Sequence, residues 1–516
     1  MKIERTKNAA RSIIFGGLLK AYQILLPFVI RTVMLYFLGV EYLGLNSLFV
    51  SILQVLNLAE LGVGSAMVCS MYKPIADDDT TTICALMRLY KIYYRIIGLI
   101  VLIAGIVISP FLPYLVKGGI PSDLNLYILY FLNLGATVCS YWLFAYKSSI
   151  FFAFQRNDII SKVQLLTNSI QYIIQIVVVI FLRNYYLFLI VAMFAQILNN
   201  ILAAILAQKY YPQYKAIGSL DKVEEKKINQ RIRDLFTAKL GGVIVNSADS
   251  IVISAFLGLT SLAIYQNYFY IITSITAFIL VIYKSCLAGI GNSLVVESLE
   301  KNYNDFQTIS LGSFWIFGFC IVCFLCLFQP FMTLWVGEDL LLSIIMVVLF
   351  CLYFYFYQLM NLFSLYKDAA GIWHQDRFRP LIEAAVNLIL NLILVQFIGL
   401  YGILLSTIIS MAFVSLPWLC QNLFKYVFKC DCKNYLKLLI AGFFVIICVS
   451  AITYLACFFI PIDGFWGLII RAGICVILSN GLYFVIFRKF PGFDRIVNIV
   501  KRLLKKSKGG EICLKD

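Results

Sequence analysis

Long apolar segments recur along the whole chain, and short polar loops separate them. An α-helix needs about 20 predominantly apolar residues to cross the hydrocarbon core of a bilayer, and fourteen segments approach that length. The first contains "GGLLKAYQILLPFVIRTVMLYFLG", in which Lys20 and Arg31 interrupt an otherwise apolar run. The pattern predicts an all-α polytopic membrane protein with about 14 transmembrane helices.

The composition agrees with this prediction. Of the 516 residues, 62% are hydrophobic and 13% are charged, whereas a soluble domain carries about 25% charged residues. Most of the 42 lysines and arginines fall in alternate loops, and the other loops hold only Lys117 and Arg183. Because cytoplasmic loops carry the excess of basic residues, both termini are predicted to be cytoplasmic. The net charge of +16 therefore reflects topology and contact with anionic membrane lipids, and we predict no nucleic-acid partner.

Few residues point to metal binding. Cys320, Cys323 and Cys326 are spaced three apart, but a fourth ligand and a polar shell are missing. Cys430 and Cys432 have no neighbouring histidine that would complete a zinc site. We interpret the cysteines as small apolar residues of membrane helices, and we predict no metal site and no cofactor.

Catalysis is not indicated either. A membrane enzyme such as a polysaccharide polymerase or a glycosyltransferase would need large outer loops or outward-facing carboxylates, but Glu41 stands alone in the first short outer loop. His374 is the only histidine of the chain and lies in a predicted cytoplasmic loop. The sequence therefore predicts a protein that is not an enzyme. The run "DDDTTT", Asp77 to Thr82, predicts a capped loop rather than a metal site.

An internal repeat organises the helices. The triplets Phe37-Leu38-Gly39 and Phe256-Leu257-Gly258 lie about 220 residues apart, as do Gln155 and Gln375. This offset spans six predicted helices, so two six-helix lobes should share one orientation and be related by a parallel pseudo-two-fold axis along the membrane normal. The predicted divisions are an N-terminal lobe (1–208), a cytoplasmic linker (209–233), a C-terminal lobe (234–424), helices 13 and 14 (425–487) and a basic cytoplasmic tail (488–516).

Polar residues follow single faces of several predicted helices. Lys20 and Arg31 are eleven residues apart, about 20° past three full turns, so they share one face with Gln23 near the same line. Charges inside a membrane normally face a bundle interior or a water-filled cavity. We predict that a polar cavity binds an anionic substrate group through Arg31, Lys20, Lys284, Gln23, Gln266 and Asn246.

Three carboxylates also fall inside predicted spans. Glu60, Asp249 and Glu383 are candidates for binding a coupling ion, H⁺ or Na⁺. A structural alternative stays open for the charged residues as a group. Lys20 and Lys284 could extend to the cytoplasmic surface, and Arg31 could form a buried ion pair with Glu60 or Asp249.

Several segments together carry a family resemblance. They are "IRTVMLYFLGVEYLGLNSLF", "LNLAELGVGSAM", "ADSIVISAFLGLTSLAIYQNYFYI", "LWVGED" and "NLILNLILVQFIGLYGILLSTIIS". In this order they resemble the polysaccharide-transporter branch of the multidrug/oligosaccharidyl-lipid/polysaccharide exporter (MOP) superfamily, which includes the Wzx-type flippases of O-antigen and capsule repeat units. The resemblance implies two six-helix lobes, alternating access and a location in the bacterial inner membrane.

The resemblance also implies a substrate, an oligosaccharide linked to undecaprenyl pyrophosphate, and contacts with a polysaccharide polymerase and glycosyltransferases. The related lipid II flippases carry cations at places that Arg31 and Lys284 fit, and their helices 13 and 14 form a groove for the lipid tail. The present chain departs from that pattern because Glu60, Asp249 and Glu383 offset its cations. A drug or cation antiporter of the same superfamily is the alternative.

Overall fold

The computed structural model describes residues 5–490 and 492–495, and within these ranges the chain forms helices and no strands. The helices of the first half are α1 (Arg5–Phe37), α2 (Val40–Leu56), α3 (Val63–Ala76), α4 (Thr80–Ile108), α5 (Leu126–Trp142), α6 (Ser149–Ala153), α7 (Asn157–Val177) and α8 (Tyr185–Tyr210). The next are α9 (Lys222–Leu257), α10 (Leu259–Val296), α11 (Leu299–Val336), α12 (Ile344–Ala370), α13 (Trp373–Asp376) and α14 (Arg379–Ile398). The last are α15 (Leu400–Ser410), α16 (Leu416–Asn422), α17 (Lys433–Phe458), α18 (Gly464–Ile474) and α19 (Asn480–Phe487).

The predicted all-α membrane fold is confirmed. Within the described ranges, 13 helical segments are long and apolar enough to cross a membrane, and a bent pair raises the number to 14. The bent pair is Leu126–Trp142 followed by Ala145–Ala153, which turn by 53°. Phe144 lies at this bend with a φ of 60°. The fourth predicted span, residues 124–152, is therefore broken rather than one continuous helix.

Local chemistry explains where helix α4 begins. Asp79 precedes its first residue and accepts a hydrogen bond from the backbone N–H of Thr82 at 3.0 Å. The hydroxyl of Thr81 donates to the same carboxylate at 2.6 Å. These donors stabilise the ionised form and lower the pKa of Asp79 to about 2. The prediction of a capped loop over this polar run is confirmed.

The chain groups into two compact units. The first contains the described residues up to 266 together with 380–403, and the second contains 267–379 together with the described residues from 404 onward. In the first unit, α1 packs along α7, α5 packs along α8, and α2 packs along α9. In the second unit, α11 is central and contacts α12, α17 and α18. The boundaries predicted from the sequence remain predictions.

The polar segment at the middle of the chain is only partly a loop. Helix α8 ends at Tyr210 and α9 begins at Lys222, so only the second half of the predicted linker (209–233) is the start of a helix, which continues into an apolar span. The guanidinium of Arg88 donates to the carbonyl of Gly218 in the loop, at 2.7 Å. Most of the predicted basic tail (488–516) lies outside the described residues.

Candidate functional site

A break in the second span places a carboxylate among polar groups. Helix α2 ends at Leu56, and a single 3₁₀ turn, Asn57–Glu60, follows it before α3 begins. Gly62 supplies the left-handed backbone that this break needs, with a φ of 87°. Non-helical backbone at membrane depth is tolerated only where protein or a water-filled cavity satisfies its polar groups. The half-buried Glu60 side chain lies at this break.

Tyrosine hydroxyls surround the Glu60 carboxylate. Tyr94 donates to Oε1 at 2.8 Å, and Tyr141 lies 3.2 Å from Oε2. Tyr90 in turn donates to the Tyr94 hydroxyl at 2.7 Å, and Tyr141 also contacts Oδ1 of Asn57 at 2.9 Å. We call Glu60, Asn57, Tyr90, Tyr94 and Tyr141 the tyrosine–glutamate cluster. An oxygen-lined carboxylate with a chain of hydroxyls can exchange a proton or hold a hard cation such as Na⁺.

Close packing against α9 holds this break in place. A Cβ at Gly62 would lie 2.6 Å from Cβ of Leu235 on α9, so only glycine allows the two segments to approach this closely.

Among the described residues, no lysine or arginine forms an ion pair with Glu60. The pairing of Arg31 with Glu60 that the sequence left open is therefore not formed in this structure.

A second carboxylate of this unit is buried in an amide cluster. Asp249, on α9, is only 7% exposed, and Nδ2 of Asn391 donates to its Oδ1 at 2.6 Å. Nδ2 of Asn391 also lies 3.3 Å from Oδ1 of Asn387, one turn earlier on α14. Next to Asp249, the Ser250 hydroxyl accepts a hydrogen bond from Gln266 at 2.8 Å. The aspartate thus has at least one strong donor, which lowers the cost of keeping a charge inside.

Helix α14 reaches α9 through a second close approach. Gly241 lies on α9, and a Cβ at this position would overlap the carbonyl of Pro380 at the start of α14. Only glycine therefore allows the two helices to approach this closely. Glu383 lies one turn later on α14 and is only 6% exposed. Glu383, Asn387 and Asn391 follow one another at intervals of four residues, which puts them on one face of the helix.

The cationic face of α1 points away from its main contact. Tyr22 hydrogen-bonds Ser169 of α7 at 2.8 Å, which marks the face that packs on α7. Lys20 and Arg31 lie about 160–180° around the helix from Tyr22. Lys20 and Gln23 are exposed and Arg31 is half-buried, which agrees with a face directed away from α7. The role of this face in substrate binding stays a prediction.

The other predicted binding residues are placed separately. Asn246 is exposed on α9, while Gln266 is engaged with Ser250. Lys284 is exposed on the part of α10 that belongs to the second unit. The structure brings Asp249, Ser250 and Gln266 into one region of the first unit. The assignment of all these residues to substrate or ion binding stays a prediction.

Sequence reasoning missed a buried ionic cluster in the second unit. Nε of Arg379 lies 2.7 Å from Asp376, and Nζ of Lys367 lies 3.2 Å from the same carboxylate. Arg379 also donates to the Ser415 hydroxyl at 3.1 Å. Asp376 and Arg379 are 4% and 7% exposed. The sequence pattern of "HQDRFRP" is typical of a polar loop. Asp376 and Arg379 are, however, three residues apart, a spacing that fits a single helical turn.

The tyrosines around Glu60 were missed as well. Tyr90 and Tyr94 are four residues apart on α4 and therefore share a face. In the sequence they lie among the cations Arg88, Lys91 and Arg95, and the sequence alone assigned them no role. Their four-residue spacing was a usable signal, whereas the contact with Tyr141 of α5 depends on tertiary structure.

Comparisons with known proteins show which solved structures share this fold. No family model and no curated protein matches the sequence. Among solved structures, the lipid II flippase MurJ in an inward closed conformation matches with a TM-score of 0.65 and 16% identity, covering 92% of this chain and 99% of that one. An inward-facing MATE family multidrug transporter matches with a TM-score of 0.60 and 14% identity, covering 79% of this chain and 97% of that one.

A third structure is a MOP superfamily transporter from Pyrococcus furiosus, described as having a binding pocket of reverse polarity. It matches with a TM-score of 0.53 and 13% identity, covering 82% of this chain and 97% of that one. The chain therefore has the fold of MOP-superfamily transporters, as the sequence predicted.

Proposed function

We propose that the protein is a flippase that moves oligosaccharide repeat units linked to undecaprenyl pyrophosphate across the bacterial inner membrane. Transport proceeds by alternating access and supplies surface polysaccharide biosynthesis, such as O-antigen or capsule. An H⁺ or Na⁺ gradient drives it. The protein functions as a transporter rather than an enzyme, beside a polysaccharide polymerase and glycosyltransferases.

The main support for this function is a large apolar groove in the second unit. Its volume is about 880 Å³, and it lies between α12, α16 and α17. The walls are mostly aromatic and aliphatic, including Phe356, Leu439 and Phe443. One end of the groove is polar, where Lys425 and Asp431 line it. An occupant that matches both parts has a long hydrocarbon chain and a charged end.

The position of this groove favours a lipid-linked substrate over a small drug. Helix α17 forms one wall, and it belongs to the last two spans of the chain. The structure of the lipid II flippase covers 92% of the chain, whereas the two MATE and MOP transporters described above cover 79% and 82%. A transporter for compact drugs has less need of additional helices that provide an apolar surface.

The cations of α1 are our candidates for binding the pyrophosphate headgroup during transport. Arg31 and Lys20 share a face, and a guanidinium matches two phosphate oxygens at once. A pyrophosphate cannot cross hydrocarbon unaided, and a fixed cation in a wet path lowers that barrier. Lys284, Gln23, Gln266 and Asn246 serve as further polar contacts for the pyrophosphate and the sugars.

The tyrosine–glutamate cluster is the strongest candidate for ion coupling. Glu60 lies at a helix break and accepts hydroxyl hydrogen bonds, so a change in its charge alters the bonds that hold α2, α4 and α5 together. A two-state element that responds to protonation is what coupling requires. Asp249 and Glu383 are the further candidates, and both are buried.

The same carboxylates support the second candidate function, an antiporter of drugs or organic cations. Three acidic residues inside spans would attract a cationic substrate, and a MATE transporter is among the structures of this fold. This function would leave the apolar groove without a role. We therefore rank it second.

The test uses the purified protein in proteoliposomes that contain a lipid-linked oligosaccharide with a labelled sugar. The expected result is movement of the label across the bilayer, accelerated by an ion gradient. Phe443→Ala, in the groove, should slow it, while Phe458→Ala, an exposed residue of the same helix, should not. A substrate with the same sugar on a short chain should be moved poorly. Gradient-driven movement of a cationic dye without any flipping would support the antiporter instead.

A further inference from the structure

Three cysteine thiols converge in the second unit from three separate segments. Cys326 lies on α11, Cys457 on α17 and Cys475 in the π-helical turn after α18. Their exposed fractions are 4%, 3% and 0%. All three sulfur atoms lie within 4.8 Å of one another. No other group of three or more metal-ligating side chains with this spacing occurs among the described residues.

The surroundings add a fourth sulfur and a polar neighbour. Cys323, one turn before Cys326, contacts the thiol of Cys475. The Cys457 thiol lies 3.9 Å from the backbone carbonyl of Arg471. Apolar packing alone accounts for single cysteines such as Cys351 on α12, but it does not require that thiols from three segments meet.

We propose that Cys326, Cys457 and Cys475 form a thiolate site for one Zn²⁺ ion. Zinc–sulfur bonds are about 2.3 Å long, which sets ligand sulfurs about 3.8 Å apart in a tetrahedral site. The observed spacing therefore needs only small side-chain rotations to accept the ion. Each of the three thiols loses a proton as its Zn–S bond forms, and the protons pass to water.

Charge favours zinc over a monovalent soft ion. Three thiolates and Zn²⁺ carry one net negative charge, whereas three thiolates and Cu⁺ would carry two, and a buried charge is costly in a membrane protein. Arg471 lines the same cavity as Cys326 and Cys457; its guanidinium also contacts the exposed Asp463 at 3.5 Å, and it would offset part of the single charge.

That cavity also provides a route for the ion. Its volume is about 580 Å³, and both Cys326 and Cys457 line it. Its remaining lining is mixed and includes the polar side chains of Gln329, Glu338 and Asp463 beside apolar ones. A water molecule from the cavity would supply the fourth ligand of the metal. The bound ion would join α11 to α17 and to the turn after α18, and so fix the last two spans against the rest of the second unit.

Cobalt titration of the full-length protein tests the site, because Co²⁺–thiolate bonds absorb in the near ultraviolet. Detergent-purified protein is first reduced and freed of metal with a chelator. The expected result is one equivalent of Co²⁺ with thiolate absorption, displaced by Zn²⁺. Cys326→Ser, Cys457→Ser and Cys475→Ser should each weaken binding at least tenfold. Cys448→Ser, an exposed residue of α17, should leave it unchanged.

A second measurement does not depend on whether the variants fold. X-ray absorption of the intact protein loaded with one equivalent of Zn²⁺ should show about three sulfur neighbours at about 2.3 Å from the metal. The proposal is overturned by absent thiolate absorption in the intact protein, or by absorption that the three substitutions together do not change. Binding of Cu⁺ without Zn²⁺ or Co²⁺ would likewise exclude the zinc assignment.

Discussion

The Tyr94 hydroxyl donates to the Glu60 carboxylate at 2.8 Å, although the two residues lie 34 positions apart in the chain. The bond joins α4 to the break that follows α2. Tyr94 thus supplies one of the hydroxyl groups that surround the carboxylate of Glu60 inside a predicted span. Replacing Tyr94 by phenylalanine removes this bond, and its effect on transport can be measured.

Tyr94→Phe should weaken ion-coupled transport by about tenfold or more, since a hydrogen bond to a charged group is worth about 1.5–3 kcal/mol. Glu60→Gln should remove the dependence on the gradient and leave the protein folded. Tyr93→Phe is the matched control, because its hydroxyl bonds Asn229 instead. Transport rates in proteoliposomes with and without an imposed gradient provide the measurement. Unchanged gradient dependence in Glu60→Gln would refute the coupling role.

Arg31→Ala should abolish surface polysaccharide while the protein accumulates normally. Arg31→Lys should restore it only in part, because an ammonium lacks the forked geometry that matches two phosphate oxygens. Surface polysaccharide and membrane protein levels are measured in the same cells. Normal transport by Arg31→Gln would mean that the charge is not needed. Recovery of lost expression when Asp249 is replaced together with Arg31 would identify a structural ion pair.

Asn391→Ala should destabilise the first unit, because Asp249 loses a donor at 2.6 Å in a buried position. A buried group left without its hydrogen bond costs about 1–3 kcal/mol. Gln396→Ala is the control on the same helix, since Gln396 is exposed and bonds only the carbonyl of Leu392. Thermal unfolding in detergent measures both variants. Equal stability of the two would show that Asp249 does not depend on Asn391.

Asp376→Ala should cost about 3–5 kcal/mol, because it leaves Arg379 and Lys367 without their shared anion in the second unit. Asp305→Ala should be nearly neutral, since the ion pair of Asp305 with Arg495 is largely exposed and long, at 3.4 Å. Unfolding temperatures of both variants are compared under the same conditions. A fall of equal size in both would contradict a special role for the buried cluster.

Topology is tested with single introduced cysteines in a background without the reactive native ones. Cysteines at Ile120 and Asp463 should react from the outside, and a cysteine at Glu225 only after the membrane is opened. A cysteine at position 508, outside the described residues, should behave like that at Glu225. Labelling of position 225 from the outside would contradict the predicted cytoplasmic linker.

The helix content could be predicted from the sequence because membranes allow few solutions, whereas the superfamily fold was predicted from the five segments that resemble the MOP transporters. Each apolar segment must satisfy its own backbone hydrogen bonds, so its length and hydropathy predict a helix directly. The shared face of Lys20 and Arg31 followed from the helical period alone. These inferences need no knowledge of which helices touch.

The partners of each polar group could not be predicted in this way. For Glu60 the sequence left an ion pair and a coupling-ion role open, and its hydroxyl partners Tyr94 and Tyr141 depend on how α4, α5 and the broken second span pack together. Cys326, Cys457 and Cys475 are far apart in sequence, and their convergence depends on how α11 packs against α17 and α18. The break after Leu56 was also hidden, because apolar residues continue on both sides of it.

The bend after Trp142 has a consequence for the surrounding lipid. Helix α5 has 17 residues and is about 26 Å long, which is shorter than the roughly 30 Å of a bilayer core. Its outer face is apolar, since Tyr127, Ile128 and Phe131 are exposed, and the segment after the bend turns by 53° instead of extending it. The bilayer is therefore expected to thin beside this span, which brings phosphate headgroups toward Lys147 at the bend.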